Sequence, residues 1–344
     1  METKKLEGII PSVNYHLWNP CNMRCKFCFA TFQDAKVVLP KGHLAKEESL
    51  ELIREIAAIG FKKITFAGGE PTLCPWISEL VKEAKKQGLT TMLVTNGTKL
   101  NEDFLSANQG YLDWIILSVD SLDDNANLVS GRAIAGKRTL SVKDYKNTID
   151  NINKYNYRLK INTVVHQFNY KESMLDFIEY AKPERWKVFQ VLPMKGENDD
   201  YIDDFKISKV QFEEFLNRHQ SLKEAGILVS ENNTEMVDSY AMIDPAGRFF
   251  TNKNGFQEYS EPILNSGIEN AYQQMNYNYD KFLNRGGLYS WGKNLTIKNK
   301  MKTKITLSGE VASGPPPRWR ERHARVRNNK IVETRSPKSP DFGA

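Results

Sequence analysis

Short apolar runs alternate along the chain with stretches whose apolar residues recur every three or four positions. Ser12–Trp18, Lys62–Ala67, Thr90–Thr95, Trp114–Val119, Leu159–Val165 and Trp186–Leu192 have strand length and strand composition. Between them, His43–Ile59, Trp76–Lys86, Val142–Asn153 and Leu175–Tyr180 carry helical spacing, and Gly60 and Gly88 stop the first two. This alternation predicts an α/β fold with a parallel sheet and right-handed crossovers, either open and doubly wound or a partial barrel. The rhythm breaks at residue 196. Val210–His219 reads as a further helix, and 196–298 as a mixed, loop-rich extension. Residues 299–344, with SGPPPRWRERHARVRNNK and SPKSP, read as a flexible basic, Pro-rich tail.

Charge sharpens this division. The 344 residues carry 48 Lys and Arg against 42 Asp and Glu, a net charge of +6. Residues 301–344 hold ten basic and four acidic side chains, so the first 300 residues, with 38 of each, are formally neutral. A neutral body argues against a nucleic-acid-binding fold. A basic tail with Trp319 among arginines leaves an RNA-binding arm as a non-enzymatic alternative, together with a metal-binding module. No apolar run is long enough to span a bilayer, and METKKLEGIIPS lacks the apolar core of a signal peptide. The expectation is a cytoplasmic chain with no membrane partner.

Three of the four cysteines crowd into Cys21-Asn-Met-Arg-Cys25-Lys-Phe-Cys28, and Cys74 stands alone. A disulfide framework would spread its cysteines along the chain. A C-x3-C-x2-C loop after a first strand can instead hold three irons of a 4Fe-4S cubane and leave the fourth open to chelate a substrate. Zinc is the competing reading, with His16 and His43 as the nearest spare donors. The spacing, with Phe27 before the last cysteine, resembles the radical S-adenosylmethionine superfamily. Gly68-Gly69-Glu70-Pro71 at the end of the second strand resembles that superfamily's turn for the methionine amino group. Thr95-Asn96-Gly97 and Ser118-Val-Asp120 give polar ends to the third and fourth strands, where parallel α/β folds place ligands. Cys74 reads as a small buried hydrophobe.

The fifth and sixth strands hold an unusual feature. Lys160 and Asn162 share one alternating face, and Arg185 and Lys187 share another, while Trp186 and Val188 point the opposite way. One face must pack on helices, so the cations should point into the barrel. Buried cations need partners, and these strands offer no carboxylate. An anion such as a polyphosphate fits.

Several segments taken together resemble the viperin family: Val13-Asn-Tyr-His16, Cys21–Phe29, Gly68–Pro71, Gly131-Arg132, Lys160-Ile-Asn162, Arg185–Gln190, Gly196-Glu-Asn198, Asp238-Ser-Tyr240 and Arg285-Gly-Gly287. The resemblance implies a partial (βα)6 barrel closed by the C-terminal extension, which covers a nucleotide site. It implies a 4Fe-4S cluster that cleaves S-adenosylmethionine to a 5′-deoxyadenosyl radical. That radical removes the 4′ hydrogen of a nucleoside triphosphate, and loss of the 3′ hydroxyl gives a 3′-deoxy-3′,4′-didehydro nucleotide. Such a product terminates RNA chains in antiviral, here anti-phage, defence. Carried over by residue, Cys21, Cys25 and Cys28 ligate the cluster. Phe29, Gly68, Gly69, Glu70, Asn96, Ser118 and Arg132 hold the cofactor. Asn14, Lys63, Lys160, Asn162, Arg185, Lys187 and Arg285 hold the nucleotide, and Tyr240 supplies a hydrogen or proton at the end of the reaction.

The resemblance further implies an electron donor such as a flavodoxin or ferredoxin, and the expected oligomeric state is a monomer. Only twenty residues precede Cys21, and the basic tail replaces the short Trp-ended tail of animal relatives, so a cytosolic prokaryotic-type member is expected. Asn252-Lys-Asn-Gly255 does not follow the animal sequences, which leaves CTP, UTP and GTP open as substrates. A GTP-cyclising enzyme or a peptide-modifying enzyme of the same superfamily would need cysteines beyond Cys74, and none follows.

Overall fold

The six expected strands form as β1 (Ser12–Trp18), β2 (Lys63–Gly68), β3 (Thr90–Thr95), β4 (Trp114–Ser118), β5 (Arg158–Val165) and β6 (Arg185–Gln190). In this computed structural model, residues 8–291 are described. The basic tail therefore lies outside the described residues. β1 to β6 run parallel in chain order, each beside the next. Their helices stand at Lys46–Ile59, Ile77–Lys86, Glu102–Asn108, Val142–Lys154 and Leu175–Ala181. The first begins three residues later than its periodicity predicts. Glu48 caps the Ala45 amide at 2.7 Å, and Leu44 bonds Pro245, so residues 43–45 stay outside the helix.

The extension after residue 195 adds strands to both sides of this sheet. β7 (Leu228–Glu231) pairs parallel with β6. β8 (Ala241–Ile243) pairs parallel with β1, and β9 (Arg248–Thr251) and β10 (Glu258–Pro262) follow it antiparallel. The result is one ten-stranded sheet whose ends are not joined by backbone hydrogen bonds. Side chains bridge the gap instead. Glu231, the last residue of β7, accepts from Tyr240, the residue before β8. Closure by the extension, expected of a barrel, is therefore made by a polar side-chain bridge and not by a strand ladder.

Alternation sets what faces inward. Val13, Tyr15, Ile64, Phe66, Ile115, Leu117, Ile161, Trp186 and Val188 are buried on the outer face under the helices. The alternate residues Asn14, Thr65, Met92, Ile116, Lys160, Asn162 and Lys187 line the interior. Register puts Lys160 beside Arg185 and Asn162 beside Lys187, so the polar rows of β5 and β6 lie level.

Candidate active site

The cysteine loop leaves β1 and is fixed from outside by the turn at residues 130–135. Arg24 N donates to Gly131 O at 3.1 Å, Lys26 N to Ser130 O at 2.9 Å, and Ala135 N to Asn22 O at 2.8 Å. Burial raises the Cys25 thiol to about 11, against the pull of the Arg132 guanidinium 3.8 Å from its sulfur, and burial with Cys25 nearby raises Cys28 to about 12. Thiols so placed need a bound metal to become thiolates. Among the described residues no three His, Cys, Asp or Glu side chains gather closely enough for a single ion. The zinc reading therefore finds no closed ligand set here, whereas a cubane takes one sulfur on each of three separate irons. His16, a spare zinc donor in the sequence, packs against Phe29, Phe32 and Phe250.

Next to the loop, the Gly68–Glu70 turn comes close to the backbone leaving β1. A Cβ on Gly69 would lie 2.2 Å from Asn19 O and 2.5 Å from Pro20 O, so only glycine fits. Glu70 is buried, and its oxygens accept from Thr72 N at 3.0 Å, from the Thr72 hydroxyl, from the Thr95 hydroxyl at 2.7 Å and from Asn96 N at 2.7 Å. Glu70 thus braces the ends of β2 and β3. The backbone of Gly68 and Gly69, on the same cavity wall, is left to meet a ligand. Asn96 reaches across to Asn22 of the cysteine loop at 2.8 Å. Ser118 accepts from Arg132 through its carbonyl at 2.7 Å, and Arg132 lies 3.0 Å from Asp120. After the last cysteine, Glu197 receives Thr31 N at 2.6 Å and Phe32 N at 2.9 Å, and Asn198 donates to Phe27 O at 3.2 Å. Gly196-Glu197-Asn198 is therefore a clamp on the loop that carries Phe29.

These groups surround one cavity of about 990 Å³, lined by the three cysteines, Phe29, Gly68–Glu70, Asn96, Ser118 and Arg132. Its volume suits a cofactor-sized ligand. Asn14, Asn162, Phe189 and Tyr240 line this cavity and also a second one, of about 80 Å³, deeper in the barrel. Lys63, Lys160, Lys187 and Arg285 surround the deeper space. Burial, reinforced by Arg185 and Arg285 and opposed by Glu231, lowers Lys160 to about 7. Burial, with Lys160, Arg285 and Arg185 beside it, lowers Lys63 well below the usual lysine range. Arg185 does not line either space. It stacks on Tyr289, 4.4 Å from the ring centre, and donates to Gly286 O at 2.9 Å.

One residue of this site is missing from the sequence reading. Glu231, fully buried, pairs with Lys187 and stands 3.3 Å from Arg285. Burial raises its carboxyl, but Lys187 and Arg285 outweigh this and hold it below the usual carboxylate range. Tyr240 donates to Glu231 and accepts from Lys187 at 2.8 Å, and burial raises its phenol well above 10. The carboxylate absent from β5 and β6 thus comes from β7. Its only signal in the sequence is a carboxylate two residues after the apolar run Ile227–Val229.

A thiol loop after the first strand, a glycine turn after the second and a polar-lined partial barrel define a radical S-adenosylmethionine protein. The Radical SAM superfamily profile matches residues 15–181. That superfamily uses a 4Fe-4S cluster and S-adenosylmethionine. The solved structure described as native anSMEcpe with bound AdoMet shares the fold, with a TM-score of 0.54 and 16% identity over 70% of this chain and 73% of that one. An S-adenosylmethionine-dependent nucleotide dehydratase of Lacinutrix mariniflava is 58% identical over 302 residues, 88% of this chain. The chain spans 62% of that relative's length. One of Flammeovirga pacifica is 56% identical over 83% of this chain and 97% of its own length. One of Oncorhynchus mykiss is 37% identical over 82% of this chain and 81% of its own. The chain belongs to this family of S-adenosylmethionine-dependent nucleotide dehydratases, the viperin family. Among the described residues no helix is long and apolar enough to cross a membrane.

Proposed function

We propose that the protein is a radical S-adenosylmethionine enzyme that dehydrates a nucleoside triphosphate to its 3′-deoxy-3′,4′-didehydro analogue, a chain terminator in antiviral defence. The observation that carries this reading is the junction of the two cavities. The larger space beside the cysteines meets the cationic space at Asn14, Asn162, Phe189 and Tyr240. A nucleotide with its phosphates among Lys63, Lys160, Lys187 and Arg285 puts its sugar at that junction, next to the cofactor space.

The residues fit a 4Fe-4S cluster and S-adenosylmethionine. Cys21, Cys25 and Cys28 would hold the cluster, and Gly68, Gly69, Asn96 and Ser118 would face S-adenosylmethionine. Arg132 supports Cys25 and the end of β4 together. When bound, these groups supply a 5′-deoxyadenosyl radical for hydrogen abstraction. The chain's own residues bind and orient. Lysine and arginine contacts to phosphate are charge-assisted and place the sugar. Tyr240, held between Lys187 and Glu231, presents a phenol O–H where a proton or hydrogen is needed. An electron donor such as a flavodoxin or ferredoxin is the proposed partner, and a cytoplasmic monomer the proposed form. The barrel would comprise residues 1–195 and the site-covering extension 196–298.

The test is anaerobic reconstitution with iron and sulfide, reduction, and mass spectrometry of the products from each of the four nucleoside triphosphates. The expected outcome is 5′-deoxyadenosine with a nucleotide lighter by one water. Formation of 5′-deoxyadenosine with every nucleotide returned intact would overturn the reading.

A further inference from the structure

The segment Arg285–Trp291 crosses the end of the barrel where the strands begin. Arg158, the first residue of β5, donates to Trp291 O at 3.1 Å and Ser290 O at 2.9 Å. Trp114, the first residue of β4, donates its indole N–H to Trp291 O at 2.9 Å. The Arg185 bond to Gly286 O adds the start of β6. Its glycines let it pass Arg185 and fold back on Phe282: a Cβ on Gly286 would lie 3.0 Å from an Arg185 guanidinium nitrogen. A Cβ on Gly287 would meet the Phe282 ring at 2.3 Å and Phe282 O at 2.4 Å.

Its aromatic rings face the cations. Tyr289 lines the deeper cavity with Gly286 and Gly287. Trp291 packs edge-on behind Tyr289, with ring centres 5.4 Å apart. Lys63 sits 4.8 Å from the Trp291 ring and 5.5 Å from the Tyr289 ring. Among the described residues Lys63, Lys160 and Arg185 have no carboxylate within ion-pair distance, and for Lys63 and Arg185 rings take the place of counter-charges at this end. The cations that attract phosphate therefore also pin the wall behind it.

Resting on the nucleotide reading above, we propose that Tyr289 is the end wall of the phosphate pocket and determines the length of phosphate chain the enzyme accepts. The sugar is fixed at the cavity junction, so the phosphates extend toward Tyr289. A triphosphate ends against the ring. A fourth phosphate, or an ester on the terminal phosphate as in dinucleotide polyphosphates or the 5′ end of a capped RNA, meets Tyr289 backed by Trp291 and Arg185. Discrimination is steric and acts against the longer ligand, while the cations hold the shorter one.

The experiment measures binding of a nucleoside 5′-triphosphate, the 5′-tetraphosphate and a methyl ester of the terminal phosphate by calorimetry, and their turnover, on the full chain. Wild type should favour the triphosphate over both longer ligands by about a hundredfold. Tyr289→Ala should bring the ratio to within about tenfold, chiefly by admitting the longer ligands. Tyr289→Leu, which keeps more of the packing, should fall between, and thermal unfolding with S-adenosylmethionine binding reports whether each variant is folded. Equal wild-type affinity for tri- and tetraphosphate overturns the wall while leaving the nucleotide reading in place. So does an unchanged ratio in a folded Tyr289→Ala or Tyr289→Leu. Failure of wild type to bind any nucleoside triphosphate overturns the nucleotide reading and the wall together.

Discussion

Tyr240 and Glu231 close the barrel between them: the phenol of the residue before β8 donates to the carboxylate that ends β7. The same phenol accepts from Lys187 at 2.8 Å and lies under Arg285, whose guanidinium carbon is 3.5 Å from the ring centre. A purely packing tyrosine would not have its hydroxyl held on both sides at a cavity junction. In Tyr240→Phe the ring remains and only the O–H is lost, so the fold should survive. The expected result is continued release of 5′-deoxyadenosine with a sharp fall in didehydro nucleotide. The ratio of the two products, by mass spectrometry, is the measurement, and an unchanged ratio removes Tyr240 from the chemistry.

Glu231 is the carboxylate that Lys187 and Arg285 share, so it compensates their charge in part when no phosphate is bound. Removing one member of a buried ion pair leaves the others uncompensated, at a cost of about 3–5 kcal/mol. Glu231→Gln should therefore unfold at lower temperature than wild type. A polyphosphate supplies the missing negative charge, so added nucleoside triphosphate should raise the melting temperature of the variant more than that of wild type. Equal shifts in the two proteins would mean that phosphate does not reach these cations.

Sequence pattern and structure agree best where burial on both faces makes long apolar strands. β1 and β3 fall on the expected residues, and β2, β4, β5 and β6 within two residues of them. The inward direction of Lys160 and Lys187 follows from period-two alternation together with the need for an apolar face under the helices. β7, β8 and β9 escaped because strands of three or four residues show too few alternations to register. With β7 unseen, Glu231 had no place, and the interior cations looked wholly unpaired. Arg185 shows a different limit. Alternation gives its face, but only the fold reveals that Tyr289 and Gly286, about a hundred residues away in sequence, engage its guanidinium. Gly69 and Glu70 are legible as a ligand turn, yet of the four internal donors to Glu70 only the two from Thr72 are local; Thr95 and Asn96 are brought there by the sheet.

The cysteine loop allows a direct test. Cys25 lies at its centre, beside Arg132. After anaerobic loading with iron and sulfide, wild type should be brown, with the visible absorption of a 4Fe-4S cluster. Cys25→Ala should lose both the colour and 5′-deoxyadenosine formation, while its far-UV circular dichroism stays that of a folded α/β protein. Stoichiometric zinc with no cluster spectrum in the loaded wild type would overturn the cluster assignment.

Lys160 makes nucleotide binding depend on pH in a defined direction. Burial first, then Arg185 and Arg285, bring it down to about 7, so in the empty protein it loses its proton as pH rises through neutrality. In the unfolded chain it would stay charged to about 10.5, so between about 7 and 10.5 the unfolded state binds more protons. This group therefore makes the empty fold more stable as pH rises across that window; below it the cost of burying the charged amine is present in full and no longer varies with pH. A bound triphosphate reverses the local field. Its negative charge raises Lys160 again, so above pH 7 binding must take up a proton. Affinity should consequently fall as pH rises from 7 to 9, by up to about tenfold per pH unit for one linked proton. Ionisation of the terminal phosphate works in the opposite direction, but it lies near pH ~6 and is nearly complete at the start of this range. Calorimetry at pH 8 in buffers of different ionisation enthalpy counts the protons directly. Lys160→Arg keeps its charge throughout, so its affinity should decline less steeply and its proton uptake should be smaller. No proton uptake by wild type at pH 8, or the same slope in Lys160→Arg, would show that this lysine does not meet the phosphates.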